Sequence, residues 1–187
     1  HLFATSAASI KSNPHILLPE EIYHSVMPFG TIILLKYPYC HGQMGSEPIK
    51  DGVSYPRRLV GRERLGQEFL TYLRNPVRTI SFLRAMDSVL DSLHAAGIAH
   101  GDIKPDNMLG QLLANGEWRI LLGDYGSCAR RGEPQNSTCG YMPNPLGYMM
   151  NIFMNDRYAL AYSVAAILFG DEIISRDEVL NYYVDTK

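Results

Sequence analysis

An α+β fold is predicted from three observations. Runs of β-branched and aromatic residues lie in the first part of the chain, helical apolar spacing follows them, and no strand–helix alternation of the parallel-sheet kind occurs. Residues 15–37 carry the first signal. They divide at Pro28-Phe29-Gly30 into runs at 16–26 and 31–37, expected as two antiparallel strands. Pro38 ends the second run, and residues 38–62, with four Gly and three Pro, read as a polar connection. In residues 78–96 the apolar positions Phe82, Leu83, Met86, Val89, Leu90 and Leu93 form one helical stripe, and Gly97 stands where a C-terminal cap is expected. Short apolar runs at 108–113 and 118–122 join through Asn115-Gly116, a strong hairpin signal. A Gly, Pro, Asn and Ser-rich loop fills 126–148, and an apolar helix over 156–169 follows, with Gly170 placed to end it.

Composition narrows the function. The 187 residues hold 17 Lys plus Arg against 19 Asp plus Glu, 46% hydrophobic and 19% charged residues, which suits a globular chain with a sizeable core. A net charge of −2 gives no footprint for general nucleic-acid or polybasic membrane binding. Cys40, Cys128 and Cys139 form no C-x-x-C pair and no even framework, so an intracellular setting, cytoplasmic or nuclear, and no structural zinc are expected. The longest apolar run, 158–169, is shorter than the roughly 20 residues of a membrane span and reads as a buried helix. The chain starts at His1 with no basic-then-apolar leader, so a piece of a longer product is expected.

The chemistry concentrates in His100-Gly101-Asp102-Ile103-Lys104-Pro105-Asp106-Asn107, followed by Asp124-Tyr125-Gly126 beyond the expected hairpin. Phosphoryl transfer needs a carboxylate for the attacking hydroxyl and a cation for the γ-phosphate. It also needs an amide oxygen and a second carboxylate to hold Mg²⁺ against the phosphates. Asp102, Lys104, Asn107 and Asp124 are those residue types in that order, and the hairpin can return Asp124 to the loop.

These residues resemble the catalytic core of the eukaryotic protein kinase family, whose patterns are H-R-D-L-K-x-x-N and D-F-G. The resemblance implies Asp102 as catalytic base, Lys104 as phosphate contact, Asn107 and Asp124 as Mg²⁺ ligands, and a serine/threonine type because of Lys104. Thr138-Cys139-Gly140-Tyr141 is similar to the T-x-x-Y before the family's A-P-E motif. Asp156-Arg157-Tyr158-Ala159-Leu160-Ala161 is similar to the D-x-W-S-L-G opening its central buried helix, where the Asp accepts hydrogen bonds from the catalytic loop. The run 31–37 would lead to the interlobe hinge, with Leu35 as gatekeeper, Lys36 and Tyr37 beside the adenine of ATP, and Leu109 as the floor beneath it. The His-Gly-Asp and Asp-Tyr-Gly variants look most similar to the vaccinia-related and casein-kinase-like branch. The implied domain is a protein-kinase-like α+β fold, incomplete at both ends. Residues 1–37 would be part of the N-lobe, with the end of a helix and two strands; 38–62 the hinge and its following loop; and 63–187 a mostly helical C-lobe truncated after the central buried helix.

The departures matter. Gly101 replaces the family's arginine, which weakens the expectation of control by activation-loop phosphorylation, and Pro143-Asn144-Pro145 stands in place of A-P-E. No Gly-rich loop and no V-A-I-K lysine occur in the sequence, and the family's helix glutamate would fall near Ala4. Two functions follow: a serine/threonine kinase using ATP and Mg²⁺ on a protein substrate, or a catalytically inactive kinase-like module that mimics or inhibits a partner kinase. A small-molecule phosphotransferase shares His-Gly-Asp, but Lys104 and the Thr138/Tyr141 pattern count against it. The arginines at 57, 58, 62 and 64 read as a solvated loop, with a phosphate-docking patch as the minor reading. Asn136-Ser137-Thr138 matches a glycosylation sequon with no leader to make it relevant.

Overall fold

The computed structural model of the chain describes residues 8–48, 57–61, 64–133 and 151–169. Its elements run α1 (Ala8–Ser12), β1 (Glu21–Met27), β2 (Gly30–Lys36), β3 (Gly42–Pro48), β4 (Arg57–Gly61), α2 (Arg64–Leu73), α3 (Pro76–Ala95), β5 (Ile98–Ala99), β6 (Met108–Leu112), β7 (Trp118–Leu122), β8 (Ala129–Arg130) and α4 (Ile152–Phe169). The fold is α+β, as expected. The Thr138–Tyr141 and Pro143–Pro145 motifs lie outside the described residues, as do the sequon, Ala4 and Gly170.

The helix α3 is fixed at both ends by local chemistry. Asn75 Oδ1 accepts from the Val77 N–H at 3.1 Å and the Arg78 N–H at 3.4 Å, and Pro76 occupies the first turn, where no amide partner is needed. At the other end Gly97 takes φ 74°, and its N–H donates to the His94 carbonyl at 2.9 Å. Between these caps Phe82, Met86, Val89, Leu90 and Leu93 are buried, while Leu83 at the stripe's edge is exposed. Leu160, Val164 and Ile167 of α4 are buried in the same core. Arg157 joins the two helices outside that core, its guanidinium reaching Asp87 at 2.5 Å and Asp91 at 2.7 Å.

The central sheet has the strand order β4-β3-β6-β7, antiparallel throughout. The β6–β7 hairpin turns at Gly116 with φ 81°, a conformation that Asn-Gly turns supply without strain. Gly110 lets this sheet close on the helices: a Cβ there would lie 2.8 Å from both the Phe69 and Trp118 rings.

Three expectations need correction. The polar connection at 38–62 contains β3 and β4, because Gly42 and Gln43 find backbone partners in Gly110 and Leu109 of β6. The first strand begins at Glu21, not near residue 16. The Leu17 N–H donates to the Leu122 carbonyl and the Leu122 N–H to the His15 carbonyl, each at 2.9 Å, so this segment is committed to β7. Pro19, with no N–H, then separates it from β1. Finally, α2 was not anticipated, although Phe69, Leu70 and Leu73 are its buried residues at helical spacing. The β1–β2 hairpin follows the expected antiparallel pairing, Glu21 opposite Lys36 through Met27 opposite Gly30, and every residue in it is exposed.

Candidate active site

The loop from β5 to β6 is held from beneath by one carboxylate. Asp156, near the start of α4 and 1% exposed, accepts from the His100 N–H at 2.8 Å and the Gly101 N–H at 3.0 Å. His94 Nε2 donates to the same Asp156 at 2.9 Å. Gly101 takes φ 85°, which glycine adopts freely and which turns the chain toward Asp102.

Within the loop, Lys104 Nζ donates to Asp102 Oδ2 at 2.7 Å. Asn107 Nδ2 donates to the Asp102 carbonyl at 2.7 Å and to Asp102 Oδ2 at 3.3 Å. Asp102 and Asn107 are both buried, whereas Lys104 is partly exposed. A 3-10 turn at Pro105–Asn107 produces this return, and Pro105 supplies the fixed φ that starts it.

Gly123 brings the second carboxylate to the loop. Its N–H donates to the Asn107 carbonyl at 3.0 Å, and its own carbonyl accepts from His100 Nε2 at 3.0 Å. Asp124 follows directly, exposed, at φ 58° and ψ 70°, with its side chain capping the Gly126 N–H. A Cβ at Gly123 would meet Leu109 Cδ1 at 2.9 Å and Leu17 Cδ2 at 3.1 Å, so glycine lets Leu109 close against the turn.

The structure therefore gathers Asp102, Lys104 and Asn107 into one hydrogen-bonded cluster, with Asp124 next to its Gly123 tether. Leu109 borders the same place. Leu35, Lys36 and Tyr37 lie at the end of β2, exposed, and Lys36 pairs with Glu21 across the hairpin. The strand after them is anchored beside Leu109, since the His41 N–H donates to the Gly110 carbonyl at 2.8 Å. Sequence reasoning missed three contributors. His94 and the Tyr125 hydroxyl had no local signal, and Asn13 ties the amino-terminal segment to Ser88 and Ser92 of α3 across more than 70 residues.

The donor set can be tested against a hard cation. With Nδ2 committed to Asp102, the Asn107 amide oxygen is the side chain's remaining donor to a cation, and Asp124 adds an exposed carboxylate. Among the described residues no three His, Cys, Asp or Glu side chains form a ready metal cluster. Two oxygen donors without a cage fit Mg²⁺, which keeps waters and shares its coordination with substrate phosphates.

His100 is fully buried, and that burial pushes its pKa below the ordinary histidine value, against the opposing pull of Asp156. Neutral imidazole also suits its partners: Nε2–H donates to Gly123, and Nδ1 accepts the Asp102 N–H at 3.3 Å. The unfolded chain therefore binds a proton more readily than the folded one. The His100 contribution is complete above the unfolded value, about 6.5, and declines as pH falls below it. Ring-nitrogen NMR is expected to show His100 still neutral and Nε2-protonated at pH 6. A half-protonated ring there would contradict this.

No protein-family model matches the chain. Curated relatives are serine/threonine-protein kinases. PknJ of Mycobacterium tuberculosis is 32% identical over 71 residues, 38% of this chain and 12% of that protein. The probable serine/threonine-protein kinase gdt8 of Dictyostelium discoideum is 31% identical over 104 residues, 48% of this chain and 8% of that protein. PknD of Mycobacterium tuberculosis is 27% identical over 112 residues, 56% of this chain and 16% of that protein. The chain thus spans a small part of each relative. Among solved structures, the ROP18 kinase domain in complex with AMP-PNP and sucrose covers 88% of this chain at 20% identity and TM-score 0.49, with 46% of that chain matched.

Proposed function

We propose that this chain, a sequence relative of serine/threonine protein kinases, is the catalytic-loop portion of a kinase that transfers the γ-phosphoryl group of ATP to a protein hydroxyl. The observation that carries the reading is the Asp102–Lys104–Asn107 cluster tethered through Gly123 to Asp124. Asp102 would accept the proton of the attacking hydroxyl. Asn107 holds its carboxylate and backbone in place. Lys104, within 2.7 Å of Asp102, would supply positive charge beside the transferred group. Asn107 and Asp124 would hold Mg²⁺, which when bound offsets charge on the phosphates. Leu35, Lys36, Tyr37 and Leu109 would border the adenine.

The support is positional, and so is the catalysis: this reaction depends chiefly on placement and electrostatics. Among the described residues no helix is long and apolar enough to cross a membrane.

A thermal-shift titration of full-length protein with Mg²⁺-ATP tests the reading. A ligand that binds only the folded form raises the melting temperature with concentration. Asp124→Ala is expected to weaken the apparent Mg²⁺-ATP affinity read from that shift by at least the roughly 10–100-fold that lesser changes around metal ligands produce. No shift in folded wild-type protein would instead favour the non-catalytic module that engages a partner kinase.

A further inference from the structure

We infer that the Tyr125 hydroxyl is a latch that fastens the Asp124-Tyr125-Gly126 turn to the end of β7 and thereby positions Asp124. The hydroxyl donates to the Leu122 carbonyl at 2.6 Å. The same oxygen accepts the Leu17 N–H at 2.9 Å, so both of its lone pairs are used. One carbonyl thus fastens the turn and the amino-terminal segment together.

The turn needs such a tie. Asp124 is the one non-glycine residue with positive φ among the described residues, a conformation that side chains adopt rarely and at a cost. The turn's own bonds are long: Gly126 N–H to Asp124 at 3.4 Å and Cys128 N–H to the Tyr125 carbonyl at 3.3 Å. The hydroxyl bond is the short one, and it is partly buried. The ring packs on His100 with centroids 5.0 Å apart, a contact that phenylalanine would keep. The hydroxyl is therefore separable from the ring.

Tyr125→Phe in full-length protein makes that separation. The variant is expected to fold, because the Leu122 carbonyl retains the Leu17 N–H and the volume is unchanged. Its Cys128 amide should exchange hydrogen about fivefold faster, the size of one lost hydrogen bond, with the α3 amides unaffected. Unchanged Cys128 exchange would overturn the latch. Should the variant fail to fold, NMR of the wild-type Tyr125 hydroxyl proton decides instead: slow exchange with water supports the latch, and free exchange overturns it.

The consequence for Asp124 rests on the kinase reading. Calorimetry is expected to show about fivefold weaker Mg²⁺-ATP binding in the variant, with metal-free ATP binding unchanged. Equal Mg²⁺-ATP affinity in a folded variant would overturn the positioning role. If wild-type protein binds no Mg²⁺-ATP, the kinase reading fails, and Cys128 exchange still decides the latch.

Discussion

Replacing Asp156 with alanine is expected to cost roughly 3–5 kcal/mol of folding stability, a large share of the ~5–15 kcal/mol typical of a domain. The carboxylate is 1% exposed and accepts hydrogen bonds from the His100 and Gly101 amides and from His94. Alanine removes every one of these acceptors and leaves two backbone N–H groups shielded from water. Each such orphaned donor costs about 1–3 kcal/mol, which accounts for the total. Asparagine retains one oxygen but turns an NH₂ group toward another donor, so about half the loss is expected. Urea unfolding followed by circular dichroism measures both. A loss below ~1 kcal/mol for alanine would mean that the loop amides find other acceptors, and that Asp156 does not hold the loop. The neighbouring Arg157 sets the contrast. Its pairs with Asp87 and Asp91 are exposed, where such bridges contribute about 0–1 kcal/mol.

Legibility in this chain follows sequence distance. The helix α3 could be read because its apolar stripe and Gly97 are local signals, whereas its start at Pro76 behind the Asn75 cap was not read. The β6–β7 hairpin could be read from Asn115-Gly116 for the same reason. The Asp102–Lys104–Asn107 cluster is local as well, since Asp102 and Asn107 are five residues apart and a Pro105 turn brings them together. The pairing of β3 with β6 was hidden, because two glycine-containing segments distant in sequence supply each other's backbone partners. The segment 15–17 looked like the start of β1, since its apolar residues fit a strand equally well in either place. Only the β7 backbone decides that it docks there. His94 was unreadable because its partner Asp156 lies 62 residues away. The left-handed Asp124 was unreadable too, because aspartate rarely adopts that conformation and tertiary contacts impose it here.

The second large effect concerns chemistry rather than folding. Asp102→Asn is expected to lower phosphoryl transfer by about 10²–10⁴-fold, the range associated with loss of a positioned general base. The substitution preserves shape. An asparagine oxygen can still accept from Lys104 Nζ and from Asn107 Nδ2, now at 2.7 and 3.3 Å from Asp102 Oδ2, so the loop should keep its conformation. On the proposed kinase reading, what would disappear is the capacity to take the proton from the attacking hydroxyl. The separation shows in a pair of measurements on full-length protein: transfer of labelled γ-phosphate to a protein substrate, and the melting-temperature shift with Mg²⁺-ATP. Transfer should fall while the shift stays within about twofold in apparent affinity, because the proposed metal ligands Asn107 and Asp124 are untouched. Equal transfer by variant and wild type would remove Asp102 from the chemistry. Loss of both transfer and nucleotide binding would assign Asp102 to organising the loop, with the Lys104 and Asn107 contacts as the reason.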